Sequence, residues 1–502
     1  MRIFCTLLLI FASRTFALDE TLEADVRQIL ERARQKYGTP GMVAALIQKG
    51  HITGTVAVGF ADRENKKPMT EDTLVQAASL TKLVTAVLVA RQADFQRLRL
   101  DVPANSYLPE KMRVIANDGR LSTATLTHLL SHHSGLPVSW RGIASAGDKI
   151  VPLEEYLSQN LRAAYPVGQK IIYANDAFSL AGYIAAKAER EEFGAHATRV
   201  LLKPLQMSDS TFVSPRMLKS NKLAKAYGSL MAPGEAGAHN DVTAALPAGG
   251  LITSAPEFAR FALMLLSGGE LDGTRILQRQ SVERLFQIEA RPYPTARVGF
   301  GLGFGINETT TRKFVWWDGG LAGVANRMIL HPGSRSGVVL LSNQSDNAAS
   351  SEAANAIFDK IVPPPAQRAY KPSRDELSRF AGTYRFYDAV DPRLWFLRYG
   401  IDLKIEIQGD ALRYDSRLLR SGLLEPVAPG RFRFADSRIA GIEAFFDGDN
   451  FLTLDLSARR IPWYQSLPAI GVYAGLVLLF ILYLAYKLLR ATIRGLKGLG
   501  KG

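Results

Sequence analysis

The sequence predicts an α/β (α+β) domain with an antiparallel sheet flanked by helices, then a small antiparallel β domain and one C-terminal transmembrane helix. Three observations predict this. Strand-like runs lie near both ends of the first 362 residues, with helical patterns between them, so a single sheet built from both ends is expected. After Val362-Pro-Pro-Pro-Ala-Gln the texture changes to short runs of strict alternation. Leu467 to Tyr486 then runs for 20 residues without a charge, enough helix to cross about 30 Å of hydrocarbon. The expected boundaries are 1–17 for a secretory signal, 18–362 for the first domain and 363–371 for a Pro-rich linker. The β domain is expected over 372–460, the membrane helix over 467–486 and a basic tail over 487–502.

Composition narrows the function classes. Of 502 residues, 47% are hydrophobic and 22% charged, which is globular composition. The net charge of +14 points to an anionic neighbour such as a membrane surface or a cell-wall polymer. No nucleic-acid module is present, so no nucleic-acid partner is expected. The single cysteine, Cys5, lies inside the expected signal, so the mature chain has no disulfide, thiolate nucleophile or cysteine zinc site. Met1-Arg2, the apolar run Ile3 to Ala12 and Thr15-Phe16-Ala17 form that signal.

Elements follow in order. Glu20 to Lys36 has apolar residues at helical spacing, and Met42–Gln48 with Ile52–Phe60 form a hairpin about Lys49-Gly50. Val75 to Ala90 contains Ser79 and Lys82, three apart and so one turn apart on one helix face. The run from Leu80 is apolar all round, which predicts a buried helix. An amine buried there loses its charge more readily and can take a serine proton. Serine is also a common N-cap, so the spacing alone does not decide.

Thr125 caps a short helix carrying His128 and His132 on one face; hydrogen bonding is expected of them, and no metal. Tyr173-Ala-Asn175-Asp176 opens an apolar helix, with Asn175 or Asp176 as its cap. The phenol could act as base near a lysine, and the amide could hold a substrate carbonyl or position the lysine. Ser254 and Glu257 read as a capping box. Phe314–Asp318, Arg327–His331 and Gly337–Ser342 are strand-like.

Beyond the linker, Asp402–Ile407, Arg431–Phe434 and Phe451–Leu456 alternate between turns. Trp463 and Tyr464 precede the uncharged run, and Lys487, Arg490, Arg494, Lys497 and Lys501 follow it without acids. That places the tail in the cytoplasm and the rest outside it, periplasmic or extracellular. Gly471 and Gly475 have the spacing of membrane helix pairs and suggest a homodimer.

Together these stretches resemble the serine β-lactamase and penicillin-binding-protein superfamily, in its class C β-lactamase-related branch. Ser79-Leu-Thr-Lys82 matches S-x-x-K, Tyr173-Ala-Asn175 matches Y-x-N, and His128-Leu-Leu-Ser-His-His-Ser-Gly-Leu-Pro137 resembles a family signature. The resemblance implies a helical lobe beside the sheet and a cleft between them. It implies Ser79 as nucleophile, Lys82 as its partner, Tyr173 as general base and Asn175 as a substrate-facing amide. It also likens the C-terminal β domain to lipocalin-like tails. The family's third motif, a cation or histidine followed by glycines, is read at Asp318-Gly319-Gly320, with the N–H groups of Ser79 and Leu321 as oxyanion hole. On that alignment Asp318 repels substrate carboxylates, and Asp318→Lys should raise turnover of them. The expected function is a membrane-anchored serine hydrolase acting without cofactor on small ester or peptide-like substrates. A binding or sensor protein on the same fold, and a β-lactamase or D,D-peptidase proper, are the alternatives.

Overall fold

The computed structural model describes residues 18–499, except 140–142, 145–150, 160, 216, 229–235, 238–240, 243–244, 295, 310–311, 346, 365–369, 387–401, 418, 436–442 and 454–456. The expected signal, 1–17, and most of the expected linker lie outside the described residues. The chain divides into two compact units at Gln367/Arg368.

Helix α1 (Glu20–Tyr37) starts where the Asp19 carboxylate accepts from the Thr21 N–H at 2.7 Å and stops at Gly38, φ 67°. Its apolar stripe Val26, Ile29, Leu30 and Ala33 is buried. Strands β1 (Gly41–Gln48) and β2 (His51–Asp62) meet at Lys49 and Gly50, with φ 50° and 83°, the positive pair that a two-residue hairpin requires. After β3 (Lys67–Pro68) come the helices of the second layer: α2 (Thr81–Asp94), α3 (Leu126–Leu130), α4 (Asn175–Lys187), α5 (Leu246–Gly249) and α6 (Ala255–Leu266). Strands β4 (Val298–Phe300), β5 (Gly305–Thr309), β6 (Arg312–Leu321), β7 (Val324–His331) and β8 (Ser336–Ser342) then return to the sheet, and α7 (Asn347–Ile361) closes the unit.

The sheet order is β4-β5-β6-β7-β8-β1-β2-β3, with antiparallel ladders throughout. Met42 to Ile47 of β1 pair with Ser342 to Gly337 of β8, so both ends of the unit share one sheet, as expected. Every residue of β8, and all of β1 except Gln48, is buried. Both faces are therefore covered, which is why these strands read as continuous apolar runs. α1 and α7 pack on each other and on the sheet, and α6 packs on β1, β2 and β8. In α2 every residue from Thr81 to Ala90 is buried, as its unbroken apolar pattern predicts.

Two expected caps differ. Ser254 occupies the N-cap position of α6 without a side-chain cap bond, because Glu257 is drawn instead to the Asp209 N–H and Ser210 hydroxyl. Ala174 is the N-cap of α4, because Asn175 and Asp176 are already helical and face buried partners.

The second unit opens with α8 (Arg374–Ser378), capped by Ser373. Its strands are β9 (Gly382–Phe386), β10 (Leu403–Gln408), β11 (Ala411–Ser416), β12 (Arg420–Ala428), β13 (Arg431–Phe434), β14 (Glu443–Asp447), β15 (Asn450–Leu452) and β16 (Ser457–Arg460). They form a closed barrel, completed by β9 against β16. Alternation sends Leu403 and Ile405 inward and Lys404 and Glu406 outward. The interior is filled by Tyr384, Phe386, Tyr414, Phe432, Phe434 and Phe451, all fully buried.

Helix α9 (Leu467–Leu499) follows. Among the described residues no helix is long and apolar enough to cross a membrane. The large apolar side chains described in α9, among them Val472, Leu476, Phe480 and Leu484, are exposed.

Candidate active site

The turn carrying Ser79 is held from two sides. Ala77 donates to the Leu251 carbonyl at 2.8 Å, and the Asn326 amide donates to the Gln76 carbonyl at 2.9 Å. Ala78 sits at φ 50°, a conformation a residue with a Cβ keeps only when its surroundings impose it. Ser79 follows in a short 3₁₀ turn that runs into α2, and Lys82 lies one turn further on, fully buried.

Lys82 Nζ has three neighbours: Asn175 Oδ1 at 2.8 Å, the Ala248 carbonyl at 2.7 Å and Ser79 Oγ at 3.0 Å. Burial pushes its pKa well down. A neutral amine has two N–H donors and one lone pair. The two fixed acceptors take the donors, which leaves the lone pair for the Ser79 hydroxyl. Tyr173 Oη lies 2.6 Å from the same Ser79 oxygen. The structure thus brings Ser79, Lys82 and Tyr173 together at one oxygen.

Asn175 is placed differently from a substrate-facing amide. It is buried at the start of α4, with Oδ1 on Lys82 and Nδ2 donating to the Ser139 carbonyl at 2.8 Å. Both its amide oxygen and its amide nitrogen are engaged within the protein, and it positions the lysine. The Ala248 carbonyl, which no side-chain pattern announces, is the lysine's third anchor. It is pressed into place because Gly182 of α4 lets Pro247 approach; a Cβ there would lie 2.3 Å from the Pro247 Cβ.

Strand β6 lies over the Ser79 turn. Its ladder to β5 ends at Gly305↔Trp316, so the edge beyond is open. A Cβ on Gly319 would meet the Ala77 carbonyl at 2.3 Å, so Gly319 faces the nucleophile turn. By alternation Trp317 faces the same side and Asp318 the opposite one. Asp318 instead accepts from Arg327 Nη1 at 2.8 and 2.9 Å, on the side of α7, where the same Nη1 reaches Ser351. Burial pushes the Asp318 carboxyl up and Arg327 pulls it back. Asp318 is therefore an ion-pair residue rather than a substrate-facing charge, and the motif position that faces the site is Trp317. Asp318→Lys, offered above as a gain of function, should instead set a second cation beside the buried Arg327 guanidinium. We expect it to lose about 2–3 kcal/mol in denaturant unfolding, with no gain on carboxylate substrates.

The oxyanion donor shifts as well. Leu321↔Val324 closes a two-residue turn, so this pair exchanges hydrogen bonds and the Leu321 N–H points into the ladder. Its neighbour Gly320 presents its N–H to the open edge. The backbone groups suited to a developing oxyanion are those of Ser79 and Gly320, not Leu321.

His128 and His132 do not share a helix face, because α3 ends at Leu130 and His132 follows at φ 60°. His128 Nδ1 is 2.8 Å from the Thr125 hydroxyl, within the helix's capping box. His132 is fully buried and stacks on Tyr173, ring centroids 4.8 Å apart, and on Trp317 at 5.6 Å. Its role, and that of Trp317, escaped the sequence reading.

The beta-lactamase family profile matches residues 26–360. The chain belongs to the beta-lactamase family. It is thus a member of a serine-hydrolase family, and its relatives show the range within it. Esterase EstB of Burkholderia gladioli is 34% identical over 214 residues, 40% of this chain and 54% of EstB, so the chain spans about half of that relative's length. Penicillin-binding protein 4 of Amycolatopsis lactamdurans is 26% identical over 70% of this chain and 94% of its own. The octameric penicillin-binding protein homologue from Pyrococcus abyssi superposes with TM-score 0.57 at 20% identity, over 87% of this chain and 99% of its own. D-alanine carboxypeptidase AmpC from Burkholderia cenocepacia gives 0.55 at 22%, over 68% and 99%. At such identity these two solved structures speak for the fold.

Proposed function

We propose that the protein hydrolyses uncharged acyl substrates, esters foremost, through an acyl-enzyme on Ser79. One observation carries the reading: a buried amine and a phenol both reach the Ser79 oxygen, at 3.0 and 2.6 Å. Lys82 takes the Ser79 proton as its Oγ attacks the carbonyl, and the N–H groups of Ser79 and Gly320 hold the oxyanion. Tyr173 then gives its phenol proton to the leaving oxygen; in deacylation the phenolate takes a proton from the attacking water and Lys82 returns one to Ser79 Oγ, which frees the acid and restores the site. Trp317 supports the substrate class. Where the family's carboxylate-recognising cation or histidine would stand, this site has an indole. A β-lactam or D-Ala-D-Ala terminus loses its charge partner there, whereas an ester loses nothing. EstB, a named esterase, supports the same choice.

We also propose, from the sequence rather than from the length of a described helix, that the run Leu467–Tyr486 anchors the protein in a membrane with the catalytic unit outside the cytoplasm. The uncharged run Leu467–Tyr486, its exposed apolar side chains and the preceding Trp463 and Tyr464 support this.

Rapid mixing with a p-nitrophenyl ester tests the hydrolase reading. A burst of one p-nitrophenol per chain is expected, together with fluorophosphonate labelling that maps to Ser79. A chain that binds substrate but gives neither would be a receptor on this fold.

A further inference from the structure

His132 clamps Tyr173, the proton donor of the proposed reaction, from three directions. Its carbonyl accepts from the Ile172 N–H at 2.6 Å, one residue before Tyr173. Its Nδ1 accepts from the Ala174 N–H at 3.2 Å, one residue after it. Its ring stacks on the Tyr173 ring, planes 24° apart. On its other contacts it meets Phe178, Phe300 and Trp317, with the Trp317 ring only 3° from parallel. To make these bonds His132 stands at φ 60°, where a residue with a Cβ is strained. His132 Nε2 is buried without a hydrogen-bond partner, an uncommon arrangement that packing alone does not favour.

From this geometry we propose that His132 is a positioning residue: a neutral imidazole that fixes the Tyr173 phenol on Ser79 Oγ and, through Ala174, sets the start of α4 from which Asn175 reaches Lys82. The proposal rests on the hydrolase reading above. With Nδ1 occupied as acceptor, the neutral ring carries its proton on Nε2. Burial above all opposes a second proton. The groups facing the ring are Lys82, His133, Tyr173, Phe178, Phe300 and Trp317, and none offers it a carboxylate. The ring therefore holds its place without taking part in proton transfer.

Three variants separate this role from others. His132→Phe keeps a flat ring but removes the acceptor for the Ala174 N–H. The acyl-transfer rate per titrated active site should fall about 10–100-fold, as a displacement of order 1 Å produces. KM and the acidic limb of the pH–rate profile should stay unchanged. His132→Asn, which tolerates positive φ and keeps an acceptor, should recover most of the loss. In a Tyr173→Phe background His132→Phe should have little further effect. If the His132→Phe penalty persists there in full, or if only the burst amplitude falls while the rate per site is unchanged, the role is structural and the proposal fails. If the acidic limb disappears, His132 is itself a base and the proposal also fails. A wild-type chain that neither bursts nor is labelled overturns the hydrolase reading first, and this proposal with it.

Discussion

Lys82→Met should lower kcat/KM on an activated ester by about 10³-fold while the stability curve gains a new pH dependence. Methionine has the lysine's length but cannot accept the Ser79 proton, so attack must proceed from an un-ionised hydroxyl. The stability sign follows from linkage. Burial lowers the Lys82 pKa in the fold, which favours its neutral form. Above pH ~10.5 lysine is neutral in both states, so its burial carries no protonation penalty. As pH falls below that, the unfolded chain takes up a proton that the folded chain refuses, and unfolding is favoured. The penalty stops growing only below the depressed folded-state pKa. Met is free of it, though its variant leaves Asn175 Oδ1 and the Ala248 carbonyl without their donor, which costs about 1–3 kcal/mol each. The absolute difference in Tm is therefore a balance, but its slope is not. Tm of Lys82→Met minus Tm of wild type should rise steadily as pH is lowered from 10 to 6. A flat or falling difference would mean that the lysine is protonated in the fold.

The second large effect concerns a methyl group. Gly319→Ala places a Cβ 2.3 Å from the Ala77 carbonyl and 3.2 Å from the Leu80 nitrogen, both backbone atoms on either side of Ser79. Backbone cannot rotate away as a side chain can, so β6 must lift off the turn. We expect about 10²-fold lower acylation and a loss of about 1–3 kcal/mol in stability. Gly320→Ala is the control. Its Cβ would meet only the Asn347 side-chain amide, at 3.2 Å, while its N–H stays in place. Activity within about threefold of wild type is expected there. Equal damage from both variants would show that the strand faces were assigned in the wrong phase.

That phase is where reading by sequence failed. Asp318-Gly319-Gly320 was aligned with its charged residue at the site, yet the site-facing residue is Trp317. A strand repeats every two residues, so a slip of one exchanges the faces completely, and only the pairing register decides it. The same register moves the oxyanion donor from Leu321 to Gly320. His132 was placed on a helix with His128, but α3 stops two residues before it. Asn175 is implied by the resemblance to face substrate, and its residue type also allows it to position the lysine; its burial between Lys82 and Ser139, 93 and 36 residues away, decides for the second.

What the chain's order of residues determined by itself is local: where helices start and turns fall, that α2 lies in the core, and that Ser79 and Lys82 stand one turn apart. Those follow from periodicity and backbone geometry, which reach only a few residues. Tertiary structure alone decided the lysine's third anchor, the histidine clamp and the face that β6 turns to the nucleophile. Each depends on backbone groups, all chemically alike, meeting across the fold, and no residue type marks them in advance.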